Sequence, residues 1–251
     1  MLQTHLIINV FNGDKFLSQT LESLVHQDYE HVFIHCFDNQ STDKTSEIIG
    51  KYKKEFDNVR SYCTSSHIPL VEARNYALST VKNIVDGPFY FAFCDADDLC
   101  SLDWASKLMR FSDLNYDILI CNGYVFDESG KYTPVNSCLS QWRPSPFTCP
   151  VFIRSCMFSS ELLTDDIALF DIRFPIAYDT EFWLRNGNDL SMLHISDRVF
   201  HKRIHSNSMT HNNFLPILRE RWGMLKKHNL SLSRFLYGFF RQLINMVLTF
   251  K

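Results

Sequence analysis

Over the first 125 residues, short apolar runs alternate with segments of helical period, and this constrains the chain more than any other feature. The runs Leu6–Phe11, Val32–Phe37, Val59–Cys63, Phe89–Cys94 and Ile118–Val125 predict strands. Between them, Lys15–Gln27 carries Phe16, Leu17, Leu21, Leu24 and Val25 at helical spacing. Thr45–Phe56 and Val71–Val85 read as two further helices, and Ser101 as the cap of a fourth reaching about Leu114. Such alternation predicts an α/β fold: a mostly parallel central sheet with helices on both faces. In sheets of that kind, ligands bind at the carboxyl ends of the strands.

The polar clusters fall at those ends. Asn12-Gly13 follows the first strand, Asp38-Asn39 the second and Asp95-Ala96-Asp97-Asp98 the fourth. Three carboxylates in four positions repel one another. Such a concentration holds a hard divalent cation, or else it is a solvated turn that caps the next helix. Asp38 could accept hydrogen bonds from a base or ribose, while Asp43 could cap the helix that follows. Arg74 begins the third helix, where it can meet phosphate or simply face solvent. In Tyr178–Asn186, a short predicted helix, Asp179 lies near the N-terminus. There it is either an N-cap or a carboxylate available as a general base.

Taken in order, these fragments resemble one family. "LIINVFNGDKFLSQTLESLVHQDY", "CFDNQSTDKT", "VEARNYAL", "YFAFCDADD" and "AYDTEFWLR" are similar to successive segments of the family-2 glycosyltransferases, inverting enzymes of the GT-A fold. The resemblance is clear from His5 to Leu114, returns over Tyr178–Arg185, and is weaker at His205–Thr210. It implies a Rossmann-like GT-A domain that moves a sugar from a nucleotide-sugar donor to an acceptor hydroxyl, with Mn²⁺ or Mg²⁺ as cofactor. By the same resemblance, Phe11 packs on the nucleobase, Asp38 bonds it, and Arg74 sits near base and diphosphate. Asp95 reaches the ribose, and Asp97 binds metal, with Asp98 a second candidate. Asp179 is the general base, and His205 contacts phosphate or metal. Two positions depart from the pattern: Asn9 stands where Pro is usual, and Tyr178 where Glu is common. The second bears on acceptor placement or on the pKa of the base.

Two other classes also fit an α/β chain with clustered carboxylates. A non-catalytic nucleotide- or carbohydrate-binding module need not retain Asp38, Asp95, Asp97 and Asp179 together. A nucleotidyltransferase needs a Gly-rich phosphate loop, and only Gly13 stands near the N-terminus.

Charge is uneven. The total is −3, which argues against nucleic acid as a partner. From Phe214 to Lys251, seven Lys or Arg face one acid, Glu220, so that stretch carries +6 and the rest −9. The expected organisation is a GT-A domain over 1–213, with a nucleotide-sugar half (1–125) and an acceptor half (126–213). A helical, basic and aromatic tail over 214–251 follows. Arg234–Lys251 has a basic and polar face opposite a wide Phe/Leu face, which suits a membrane surface, a partner or the body itself. With the resemblance, this suggests a saccharide or lipid-linked saccharide acceptor in polysaccharide or lipopolysaccharide synthesis. The eight scattered Cys form no metal spacing and read as reduced thiols. Met1 runs straight into a strand, and no apolar stretch is long enough to span a bilayer. The expected location is the cytoplasm, with the inner face of the cytoplasmic membrane as an alternative reached through the tail. Twenty-two Phe predict a large aromatic core or an adhesive surface.

Overall fold

The computed structural model describes residues 2–137, 145–147, 151–163, 169–187, 189–205, 214–233, 236 and 238. The first half builds the alternation expected: β1 (Gln3–Val10), α1 (Leu17–Val25), β2 (Val32–Asp38), α2 (Thr45–Glu55), β3 (Val59–Cys63), α3 (Leu70–Ile84) and β4 (Phe89–Phe93). Next come β5 (Leu99–Cys100), α4 (Trp104–Met109), β6 (Ile118–Asp127), β7 (Tyr132–Val135), β8 (Cys156–Ser159), α5 (Tyr178–Asn186), β9 (Met192–Ile204) and α6 (Phe214–Lys227).

One sheet runs in the order β3-β2-β1-β4-β8-β6-β9-β5, with β7 beside β6. Its first four strands are parallel, so β1, β2 and β4 end on one edge. β8 runs antiparallel between β4 and β6, and β9 is parallel to β6. β8 comes from the stretch around residues 133–173 that carries no clear period. It is short and aromatic, and it becomes a strand because β4 and β6 leave it a central slot. The four-residue run Cys-Met-Phe-Ser offers too little pattern to announce this.

Side chains alternate between the faces along each strand. Leu6, Ile8 and Val10 point to the side covered by α1, α2 and α4, where Leu21, Ile49 and Trp104 are buried. Ile7, Phe91 and Phe93 point to the other side, against Val81 of α3 and Phe182 and Trp183 of α5. Much of the Phe content is here: Phe91 stacks on Phe158 at 5.3 Å, and Phe170 packs against Phe93 and Phe182 at 5.5 and 5.9 Å. Each such buried ring contributes about 2–3 kcal/mol of apolar transfer.

Two local expectations are corrected. The two brief strands near Met192–Ile195 and Val199–Arg203 are one strand, β9, with a bulge where its register to β6 slips at Cys121, Asn122 and Gly123. The polar Ser196-Asp197 pair sits in the bulge. A β-carbon at Gly123 would strike the Phe200 carbonyl, so only glycine admits this approach. Ser101 does not cap α4; Asp103 stands at that N-cap, and the Ser101 hydroxyl meets His201 Nε2 at 3.0 Å. Arg234–Lys251, apart from Leu236 and Gly238, lies outside the described residues, as do Cys138, Cys149 and the loop after His205. The six described cysteines are free thiols. Among the described residues, no helix is long and apolar enough to cross a membrane.

Candidate active site

The loops leaving β1 and β2 are tied together. Asn12 has φ +50° and its Oδ1 accepts the Thr42 N–H at 2.8 Å, while its own N–H reaches Ser41 Oγ at 2.9 Å. The Gly13 N–H donates to Thr45 Oγ1 at 2.8 Å, and a β-carbon at Gly13 would lie 2.6 Å from Val10. This leaves Phe11 at the carboxyl edge, 49% exposed, its ring 4.3 Å from that of His67. Asp38, the last residue of β2, is buried opposite Val10, and its Oδ1 accepts the Ser41 N–H at 2.9 Å. His67, whose Nδ1 lies 3.1 Å from the Asn39 carbonyl, is an aromatic neighbour that the sequence did not signal.

Arg74 is buried in the first turns of α3. Its Nη2 donates to Asp95 Oδ1 at 2.6 Å, and its guanidinium lies over the rings of Phe93 and Tyr178, at 4.9 and 5.0 Å. Two aromatic rings at these distances hold the cation by cation–π attraction. Both departures from the family pattern therefore act on α3. Asn9 Nδ2 donates to the Ala73 carbonyl at 3.0 Å, anchoring the turn that carries Arg74, and Tyr178 covers Arg74 itself. Burial raises the Tyr178 phenol well above its ordinary range, so it stays protonated.

Ligand atoms of Asp95, Asp97 and Asp98 lie within 4.8 Å of one another, but the three carboxylates are used differently. Asp95 is shared by Arg74 and by Arg154, whose Nη2 lies 2.7 Å from its other oxygen. Although burial opposes ionisation, Arg154 and Arg74 hold Asp95 below the usual carboxylate range. Asp98 turns inward, 3% exposed, ion-paired to Arg154 and accepting the Arg203 N–H at 2.9 Å. Burial pushes its carboxyl up to about 7; Arg154 pulls against this, while Asp95 and Asp97 add to it. Despite its own burial, Arg154 is held protonated by Asp95 and Asp98. Asp97 meets His205 Nε2 at 2.8 Å, and Arg203 Nε donates to the Asp97 carbonyl at 2.8 Å.

Asp179 occupies the first turn of α5, directly after the Tyr178 that covers Arg74, and its Oδ1 accepts the Thr180 N–H at 2.6 Å. Lys202 of β9 lies within the electrostatic reach of Asp95, Asp98 and Asp179 together. Burial and the nearby Arg154 lower its ammonium pKa, and the three carboxylates counter this. Its Nζ is 5.0 Å from the Phe152 ring centroid.

The tertiary fold thus gathers the residues expected from the sequence into two joined groups. Phe11 and Asp38 lie at the carboxyl ends of β1 and β2; Arg74, Asp95, Asp97, Asp98, His205 and Asp179 surround the acidic loop. Arg154, Lys202 and Arg203 were missed. The basic pair before His205 was a weak signal for two of them, and Arg154, in a stretch without period, had none.

Comparison with known proteins gives this geometry a family. The model for "Glycosyl transferase family 2" matches residues 5–169. An Escherichia coli protein, UDP-Glc:alpha-D-GlcNAc-diphosphoundecaprenol beta-1,3-glucosyltransferase WfaP, is 25% identical over 223 residues, covering 86% of this chain and 82% of that protein. Other matches are partial: one spans 48% of this chain and 46% of an uncharacterised Haemophilus influenzae glycosyltransferase, and another 49% of this chain and 17% of the longer Streptococcus pneumoniae glycosyltransferase GlyA. Among solved structures, Staphylococcus aureus TarS 1–349 in complex with UDP-GlcNAc superposes with a TM-score of 0.68 at 18% identity, covering 92% of this chain and 69% of that one. The mannosyltransferase PcManGT from Pyrobaculum calidifontis, in complex with GDP-Man and Mn²⁺, gives 0.56 at 14% identity, covering 82% and 58%. The fold is therefore the GT-A fold expected, and the nucleotidyltransferase reading is set aside. With its acidic loop, strand order and matched sequence in agreement, this chain belongs to glycosyl transferase family 2.

Proposed function

We propose that the chain transfers a sugar from a UDP-sugar to an acceptor hydroxyl in one displacement, with inversion at the anomeric carbon and Asp179 as general base. The observation that carries this is the continuous contact Asp95–Arg74–Tyr178, which joins the carboxylate loop to the first turn of the helix bearing Asp179. In this reading the nucleobase lies on Phe11 beside Asp38, and the ribose reaches Asp95. Asp179 takes the acceptor proton as the hydroxyl oxygen bonds to the anomeric carbon. The bond to the donor diphosphate breaks on the opposite face, and its electron pair leaves with the nucleoside diphosphate. Arg74, Arg154 and Lys202 place positive charge where the leaving group accumulates negative charge.

The residues also fit a divalent metal. Asp97 and His205 converge, and a carboxylate oxygen with an imidazole nitrogen suits Mn²⁺. Asp95 and Asp98 are already engaged by arginines, so Asp97 and His205 would hold the ion, with Asp98 a lesser contributor. Mn²⁺ or Mg²⁺ bound there supplies further positive charge for the leaving diphosphate.

For the acceptor, the name of the E. coli relative supports a lipid-diphosphate-linked saccharide, and the basic tail supports work at the inner face of a membrane. The decisive experiment incubates a panel of UDP- and GDP-sugars with Mn²⁺ and detects released nucleoside diphosphate, with Asp179→Asn alongside. Loss of general-base catalysis lowers turnover about 10²–10⁴-fold while UDP affinity is retained. UDP affinity lost in parallel with turnover would make Asp179 structural.

A further inference from the structure

Helix α6 lies beyond the residues that the family model matches, yet it holds α5 where the local sequence of α5 does not. Ala177 stands at the N-cap of α5, and its own side chain offers no acceptor. Alanine is among the poorest residues for that position. An acceptor arrives instead from α6: Glu220 Oε2 accepts the Ala177 N–H at 2.9 Å and the Ile176 N–H at 3.1 Å. One turn along α6, Met224 is fully buried with Phe174 and Ala177. A further turn along, Lys227 pairs with Asp171 at 2.7 Å and with Glu181, a carboxylate with no exposed surface. His228 lies 3.4 Å from the same Glu181, and Arg185 Nε 3.3 Å. Although burial opposes it, His228, Lys227 and Arg185 hold Glu181 ionised, down at about 2.

Positions 220, 224, 227 and 228 recur on one face of a helix. Helix α6 is therefore a splint along α5, anchored at the backbone entering the helix and again at Glu181. A first turn without its own cap frays, and Asp179 is in that first turn. We infer that Glu220 is a positioning residue for Asp179, capping from another helix the turn that presents this carboxylate to the donor. The inference rests on the reading of Asp179 as general base, and it makes α6 a working part of the catalytic unit.

The test compares the full chain with Glu220→Ala, Glu220→Gln and Asp179→Asn. Release of UDP from UDP-GlcNAc and UDP-glucose gives kcat and KM, calorimetry gives UDP affinity, and hydrogen exchange follows the amides of α5. A small displacement of a reacting group costs up to about 100-fold, so Glu220→Ala should lower kcat about 10- to 100-fold, with donor KM and UDP affinity within about two-fold. Amides at the start of α5 should exchange faster. Glu220→Gln, which keeps an acceptor oxygen, should recover most of the lost turnover. Wild-type kcat in Glu220→Ala, parallel loss of UDP affinity, or no recovery with Gln overturns the inference. The exchange measurement needs no substrate, and unchanged protection of α5 overturns it equally. Should Asp179→Asn retain full turnover, the base assignment falls and the inference with it. An inactive Asp179→Asn beside a fully active Glu220→Ala removes the inference alone.

Discussion

The Asp97 carboxylate and the His205 imidazole, 108 residues apart in the chain, meet at 2.8 Å. The acidic loop after β4 brings one and the end of β9 the other. Arg203 stitches the two segments by donating to the Asp97 carbonyl and to the Asp98 carboxylate.

That pairing predicts where metal affinity resides. In calorimetry with Mn²⁺ and UDP, Asp97→Asn and His205→Ala should each weaken binding on the order of 10-fold or more. Asp98→Asn should have a smaller effect, because Arg154 and the Arg203 N–H already occupy its oxygens. EDTA should stop turnover, and Mn²⁺ or Mg²⁺ should restore it. Full turnover in chelator would rule out the metal.

Arg154 neutralises two carboxylates at once. Arg154→Met keeps the length of the side chain but leaves Asp98 buried without its cation. Removing one partner of a buried pair costs about 3–5 kcal/mol, so the melting temperature should fall by roughly 10 °C. Adding Asp98→Asn should return much of that loss. An unshifted melt for Arg154→Met would show that the pair does not hold the loop.

The nucleobase end can be tested without any acceptor. Phe11→Ala removes an exposed aromatic face and should raise the Kd for UDP about 3- to 10-fold, with thermal stability unchanged. His67→Ala, losing the ring beside it, should act in the same direction. An unaltered Kd in both variants would move the base elsewhere.

A pH dependence of stability follows from the sheet. His5 and His35 are buried on adjacent strands, with His5 Nδ1 2.9 Å from His35 Nε2, and His35 Nδ1 3.2 Å from the Tyr62 hydroxyl. Burial lowers His5 to about 4. Burial, with the neighbouring His5 and Arg60, lowers His35 to about 3. Both are neutral when folded and titrate near 6.5 when unfolded, so the unfolded state takes up protons first. Stability is full above pH 6.5 and declines below it, by about 2 kcal/mol per histidine at pH 5. Urea unfolding at pH 7 and pH 5 measures this, and His35→Gln should show the shallower decline. Equal slopes for both proteins would assign the acid loss to other groups.

What the sequence determined by itself was local. Apolar runs such as FYFAF and helical spacing such as that of Leu17, Leu21 and Leu24 depend on neighbours within a turn or two. The α/β order and the carboxyl-edge positions of Phe11, Asp38 and Asp95 were therefore legible. The GT-A resemblance was also legible, because its motifs lie at those edges. Only the tertiary structure decided which charges meet. Arg154 reaches Asp98 across 56 residues and Glu220 reaches Ala177 across 43, and no period in the chain records either contact. β8 became a strand through the partners on both its sides, and one bulged strand stood where two were expected. Backbone period is written along the chain, whereas the pairing of buried charges depends on distances that exist only once the sheet has closed around them.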